Sequence, residues 1–307
     1  MKPSSNGKGA TAVAGDFIRK WLGRNPALPP EVAAAQADLA RLSEQRPILA
    51  ELAAQLNEFL LALYAEPVHV VVPPLTKEMA AGKLSAGVPL LRGETLDIDW
   101  PGVKRRLQDV VGALAQRRAD AAPALAKAVR SGQLDLADLT SAVLAGRPQS
   151  VHERADSLRL DVPLTASVLS LTLFPVLVPI RAGLEPLLSA GSWTEGYCPA
   201  CGSFPKLGVF RGLEQTRFLR CGLCAAEWPF PRLRCPCCGN RDHRQLGYLH
   251  VEGEEGKCRA GTCEECRQYI KMVSTLTPLS PLRLLVTDVA TVHLDLLAAD
   301  RGFSPPL

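Results

Sequence analysis

The placement of cysteines constrains this chain more than any other feature. All ten lie between Cys198 and Cys266, and the 197 residues before them contain none. Eight form four pairs with two intervening residues: Cys198-Pro-Ala-Cys201, Cys221-Gly-Leu-Cys224, Cys235-Pro-Cys-Cys238 and Cys263-Glu-Glu-Cys266. Such a gap lets both thiolates of a tight turn face one ion while amides of the turn donate to the sulfurs. Nineteen residues separate the first pair from the second and twenty-four the third from the fourth, room in each case for a short hairpin. Two pairs then close a tetrahedron of four thiolates, of the zinc-ribbon or rubredoxin kind. Sequential pairing needs the shortest loops, and a cross-braced pairing of first with third and second with fourth is the alternative. Four thiolates suit zinc or iron, and spacing does not choose between them. Either ion gives a closed site that organises a fold and leaves no position for bound water.

One run, Cys235-Pro-Cys-Cys238, packs three cysteines into four positions. Cys235 and Cys238 have the ligand gap and are followed by Gly239, as Cys201 is by Gly202; glycine suits left-handed backbone at the end of such a turn. Cys237 is therefore surplus, as is Cys258, which stands outside any pair. Both read as non-ligand residues in turns, with sulfur handling or redox chemistry as the second reading. His243 and His250 read as surface residues, His69 and His152 as structural, and Glu153 with Asp156 as a solvated helix face. No Ser/His/Asp arrangement, Walker loop or GxGxxG occurs, and no catalytic residue is expected.

The 307 residues are 47% hydrophobic but only 5% aromatic, a composition that supports a core and leans towards helix. Helices are predicted over Glu31 to Leu42, Pro47 to Tyr64, Pro101 to Arg118, Pro123 to Ser131, Leu134 to Ala145, Leu164 to Phe174 and Arg181 to Leu188. Leu39, Leu42, Leu49, Leu52, Leu56, Phe59, Leu60 and Leu63 recur every three or four residues as one buried face. Strands are predicted at Lys206 to Phe210, Thr216 to Leu219, Glu227 to Pro229, Arg244 to Val251 and Tyr269 to Val273. Leu282 to Leu297 reads as a strand and a helix packing back on the body. The fold class is thus an all-helical N-terminal domain followed by two tandem rubredoxin-like or zinc-ribbon modules. The expected division is a flexible tail over 1–15, a helical domain over 16–190, metal modules over 191–230 and 231–275, and a C-terminal segment over 276–307.

Val162 to Ile180 has nineteen residues and no charge, near the minimum for a membrane span. Pro163, Pro175 and Pro179 would each remove a hydrogen bond that a lipid-facing helix needs, so a buried core helix stopped at Phe174-Pro175 is expected. The first residues hold no apolar run that would direct secretion, and the cysteines read as belonging to a reducing compartment. Between Cys198 and Met272 stand twelve Lys and Arg against eight Asp and Glu. Eight thiolates with two divalent ions bring that excess to neutrality, which argues against a nucleic-acid-binding ribbon.

Five ordered motifs surround the pairs: Gly196-Tyr-Cys-Pro-Ala-Cys-Gly-Ser-Phe-Pro205, Leu219-Arg-Cys-Gly-Leu-Cys-Ala-Ala-Glu-Trp228, Cys235-Pro-Cys-Cys-Gly239, Cys263-Glu-Glu-Cys-Arg-Gln-Tyr-Ile-Lys271 and Thr287-Asp-Val-Ala-Thr-Val-His-Leu-Asp-Leu-Leu-Ala298. Together they resemble the FdhE family of formate dehydrogenase accessory proteins, most densely over about residues 193 to 300. The resemblance implies a cytoplasmic, non-enzymatic maturation factor that binds the immature catalytic subunit of a respiratory formate dehydrogenase before its export. It also implies two metal ions, with iron favoured over zinc. One would be held by Cys198, Cys201, Cys221 and Cys224, the other by Cys235, Cys238, Cys263 and Cys266. Cys237 and Cys258 depart from the family's ligand set. A rigid metal module would display loops such as Gly202 to Pro205 and Glu227-Trp228 to a partner, with Trp228 fitting the core as well as a contact surface. The alternative function is an iron-dependent redox or sulfur-handling protein in the same pathway.

Overall fold

A computed structural model describes residues 28–117, 120–189 and 192–306. The tail expected over 1–15, the helical start at 16 and the junction residues Ala190 and Gly191 lie outside them.

The helical half begins with α1 (Pro30–Gln45) and α2 (Ala50–Leu63), joined through a 3-10 turn at Pro47–Leu49. Proline opens α1 because its missing N–H would be unpaired in a first turn anyway. Val32, Ala35, Leu39 and Leu42 bury one stripe of α1 against Ala53, Leu56 and Leu60 of α2. Leu52, expected on that face, is 40% exposed, since its position points α2 outward. Then follow α3 (Lys77–Ser85), α4 (Trp100–Ala115), α5 (Ala122–Arg130), α6 (Leu136–Leu144), α7 (Gln149–Ser157) and α8 (Val162–Leu184). Side-chain oxygens of Thr76, Asp99, Asp135 and Asp161 accept the amides of Met79, Gly102, Asp138 and Leu164, satisfying donors that the first turns of α3, α4, α6 and α8 leave free. A short antiparallel pair, β1 (Val70–Val71) with β2 (Asp97–Ile98), lies between α2 and α4.

The expected break at Phe174-Pro175 does not occur: α8 runs as one helix through Pro175 and Pro179. Val168, Leu169, Leu173, Phe174, Val176, Leu177, Ile180 and Leu184 are buried along it, and that packing outweighs the roughly 3 kcal/mol a proline costs inside a helix. The stretch is long and apolar enough to cross a membrane, yet 56% of its most apolar window is buried against the rest of the chain.

The C-terminal half is one six-stranded sheet in the order β5-β4-β3-β8-β7-β6. Its strands are β3 (Pro205–Arg211), β4 (Thr216–Cys221), β5 (Glu227–Pro229), β6 (Leu246–Leu249), β7 (Cys258–Cys263) and β8 (Gln268–Thr275). Neighbours are antiparallel except β3 and β8, which pair in parallel with Leu207 opposite Lys271. Each cysteine hairpin thus supplies half of a shared sheet. Gly208 leaves room at this seam for the Met272 side chain, whose sulfur lies 2.1 Å from where a Cβ would stand. The segment expected as a strand and a helix is two helices, α9 (Pro281–Ala290) and α10 (Val292–Asp300). Leu282, Leu284, Leu285 and Val286 recur at helical spacing in α9 and bury it against α1 and α2.

Candidate metal centres

Each cysteine pair sits on the same kind of turn. The residue after the second cysteine donates its N–H back to the carbonyl of the first: Gly202 to Cys198 at 2.9 Å, Ala225 to Cys221 at 3.1 Å, Gly239 to Cys235 at 3.0 Å and Arg267 to Cys263 at 2.9 Å. All four adopt positive φ, +82° at Gly202, +56° at Ala225, +80° at Gly239 and +56° at Arg267. Glycine takes this backbone without strain, while Ala225 and Arg267 bear a cost of order 1 kcal/mol that their side chains offset. Ala225 is buried in the core beside Leu207. Arg267 stacks 4.0 Å from the Phe303 ring centroid and donates to the Arg301 carbonyl at 2.6 Å.

The turns bring the cysteines into two clusters, paired in sequential order. In the first, Cys198 and Cys224 sulfurs stand 3.6 Å apart and those of Cys201 and Cys221 3.4 Å. In the second, Cys235 to Cys266 and Cys238 to Cys263 are both 3.7 Å. Within each group of four, every sulfur lies within 4.8 Å of the others. A disulfide would need about 2.0 Å, whereas four sulfurs about 2.3 Å from one central ion stand about 3.8 Å apart. The donor set and spacing therefore fit a tetrahedral thiophilic ion in each cluster. Amides help: Cys201 N–H reaches Cys198 Sγ at 3.5 Å, Leu223 N–H reaches Cys221 Sγ at 3.3 Å and Cys237 N–H reaches Cys235 Sγ at 3.4 Å.

Ionisation states agree. Burial pushes the Cys198 and Cys224 thiols well up, while hydrogen bonds from Cys198, then Cys221 and Cys224, pull Cys201 well down. In the second cluster a hydrogen bond from Cys237 draws Cys235 down to about 4, and burial lifts Cys238 to about 11 and raises Cys266. Protons are thus shared so that few sulfurs are charged at once; a cation would replace them and ionise the set.

The two clusters differ in setting. Cys198, Cys201, Cys221 and Cys224 are 0% exposed and belong to the same core as α4 and α8. The loop after α3 seats the first turn: Leu90 and Leu91 donate to the carbonyls of Pro199 and Ala200 at 2.8 and 2.9 Å, and Tyr197 Oη donates to the Gly87 carbonyl at 2.7 Å. In the second cluster Cys238 is exposed and Cys266 half-buried.

Of the loops expected to be displayed to a partner, Gly202, Ser203, Phe204 and Glu227 are half-buried. Pro205 is buried, Gly202 packs against Pro89, and Trp228 is 2% exposed with its indole N–H on the Glu195 carbonyl. Glu227 pairs with Arg211 and with Arg220, the latter at 3.3 Å. An aromatic followed by a β-strand signal fits a buried position as well as a contact surface, and here the core claims it. His243, His250 and His69 are exposed and His152 half-buried, apart from both clusters. Cys237 lies beside Cys235, half-buried, and outside the first-named four of its cluster. Sequence reasoning missed a third convergence, of Glu254, Cys258 and His293.

Two family models match this region, "FdhE, central domain" over residues 197–232 and "FdhE, C-terminal domain" over residues 233–306, meeting where one cysteine cluster gives way to the other. Residues 197–306 therefore match the FdhE family. A protein FdhE homolog from Stutzerimonas stutzeri is 42% identical over 111 residues, covering 35% of each chain. One from Aquifex aeolicus is 35% identical over 114 residues, 36% of this chain and 40% of the relative. These alignments span little more than a third of the curated relatives. The crystal structure of the FdhE protein from Pseudomonas aeruginosa matches with a TM-score of 0.59 at 26% identity, over 91% of this chain and 95% of that one. The FdhE likeness in fold therefore extends into the helical half, where sequence motifs are absent.

Proposed function

We propose that this chain is a cytoplasmic accessory factor for the maturation of formate dehydrogenase, which binds the immature catalytic subunit through a surface held rigid by two four-cysteine metal sites. Cys198, Cys201, Cys221 and Cys224 hold one ion, and Cys235, Cys238, Cys263 and Cys266 the other, with iron favoured and zinc the alternative. The observation that supports this most is the pair of closed sulfur clusters within FdhE domains. Four protein ligands leave no coordination position for a substrate, so the ions supply rigidity rather than Lewis-acid chemistry. Assembly factors act by presenting a surface, and six strands braced by α9 and α10 provide a stiff one.

The test is capture of the catalytic subunit by the tagged full-length chain from cells that make the enzyme. Recovery that is lost when Cys198 and Cys221 become serine supports the reading, and no recovery by the wild type contradicts it. A second reading, one-electron transfer by iron, is favoured by the exposure of Cys238 in the second cluster. It requires a reversible redox couple in the iron-loaded protein, and a colourless zinc protein that restores maturation removes it.

A further inference from the structure

Glu254, Cys258 and His293 come from three places in the fold. Glu254 lies in the loop before β7, Cys258 is the first residue of β7, and His293 is in the first turn of α10. Lys257 and Cys258 both donate their N–H groups to the Glu254 carbonyl, at 2.8 and 3.0 Å. That single turn sets the side chains of Glu254 and Cys258 on one side, and α10 brings His293 across them. Glu254 Oε2 is 3.4 Å from Cys258 Sγ and 3.0 Å from His293 Nε2, and Sγ is 3.8 Å from that nitrogen.

The carboxylate is divided in use. Its other oxygen, Oε1, accepts from Arg46 Nη2 at 2.6 Å, and Arg46 Nη1 donates to the Ala290 carbonyl at 3.1 Å just ahead of α10. Arg46 therefore fixes the carboxylate plane and leaves Oε2 turned towards sulfur and imidazole. This is the support that outer partners give to metal ligands.

We propose that Glu254, Cys258 and His293 form a third metal site, for a divalent cation of the zinc class, distinct from the two four-cysteine clusters. Sulfur about 2.3 Å and nitrogen or oxygen about 2.0–2.1 Å from one ion lie about 3.4–3.6 Å apart in a tetrahedron; the Sγ–Oε2 separation of 3.4 Å meets that range, while 3.0 Å between Oε2 and Nε2 lies below it and 3.8 Å between Sγ and Nε2 above it. Cys258 is 7% exposed and forms the floor, while the Glu254 and His293 side chains, 24% and 26% exposed, form the rim. Three protein ligands leave the fourth position open to water or to a small exogenous donor. The site lies outside the proposed scaffold role and does not depend on it.

The experiment loads the full-length chain with zinc alone, and in parallel with cobalt(II) alone, and counts retained equivalents in the wild type, C258S, E254Q and H293A. The wild type is expected to retain one equivalent more than each variant, and the cobalt lost in C258S to carry weaker sulfur charge-transfer absorption than the rest. A wild type that retains the same number as C258S overturns the proposal, and that count stands even if H293A does not fold. Loss of ions from the cysteine clusters is read separately in C198S and C235S.

Discussion

The backbone at Gly196 lies against the carbonyl of Pro236: a Cβ on Gly196 would stand 1.8 Å from that oxygen. Gly196 leads into the first cysteine turn and Pro236 lies inside the third, so this contact joins the two four-cysteine clusters. The obstacle is backbone, which does not rotate aside. Gly196→Ala is expected to cost about 3 kcal/mol, at the upper end of overpacking effects. It should also speed metal loss from the second cluster, whose turn must shift. Thermal melts and chelator kinetics check it; unchanged values would show that the seam is loose.

The unequal burial of the clusters predicts unequal metal release. A chromophoric chelator added to the folded protein should remove the ion beside exposed Cys238 quickly, and the ion within the fully buried cluster only as the core opens. Two kinetic phases are expected, the slow one sensitive to denaturant. A single phase for both ions would contradict this.

A charge cluster ties α9 and α10 to the sheet. Lys271 Nζ, almost fully buried, meets Asp288 Oδ1 at 2.6 Å and Asp295 Oδ2 at 2.7 Å, while Lys206 reaches Asp288 Oδ2 at 3.3 Å and Tyr269 Oη donates to Asp295 at 2.7 Å. Burial opposes ionisation of Asp288, but Lys206 and Lys271 hold its carboxyl below the ordinary range, and Asp288 in turn raises Lys206. A depressed acid contributes stability above its unfolded pKa of about 3.9, lost as pH falls through the folded value. A raised lysine contributes below about pH 10.4, lost as pH rises through its folded value. Asp288→Asn should lower the melting temperature at neutral pH and flatten both limbs of its pH profile. Equal profiles for variant and wild type would refute the linkage.

Arg106 is 5% exposed inside the helical half. Its guanidinium donates to the carbonyls of Leu63 at 3.1 Å, Glu66 at 2.6 Å and Pro67 at 2.9 Å, completing the end of α2 and the chain beyond it. Arg106→Met keeps much of the volume and leaves three acceptors without this donor, which should cost about 3 kcal/mol. Denaturant titration measures it, and a loss under about 0.5 kcal/mol would mean that water replaces the guanidinium.

The cysteine turns were legible because their chemistry is local: two intervening residues and a following Gly202 or Gly239 define a turn by themselves. Predicted helices over Glu31 to Leu42 and Pro123 to Ser131 match α1 and α5 within a few residues for the same reason, apolar spacing on one face. What required distance in the chain was hidden. The parallel seam of β3 and β8 joins residues more than sixty apart, and nothing in either strand's alternation names its partner. Strand β7 was missed because Cys258-Arg-Ala-Gly-Thr-Cys263 has few β-branched residues, and its pairing with β6 and β8 decides its state. Pro175 argued for a break that burial of α8 overrides. Glu254 and Cys258 have a helical-turn spacing that could have drawn notice, but only the fold brings His293 to them.

In the proposed arrangement eight cysteines, taken in sequential pairs, hold two ions and thereby fold the C-terminal half. Metal content of anaerobically purified full-length protein, compared with the double variants C198S/C201S and C235S/C238S, tests it most directly. Each double variant is expected to lack one ion present in the wild type, and the first also to melt at a lower temperature. Variants that keep the full metal content, or a wild type whose pairs are joined as disulfides, would contradict it.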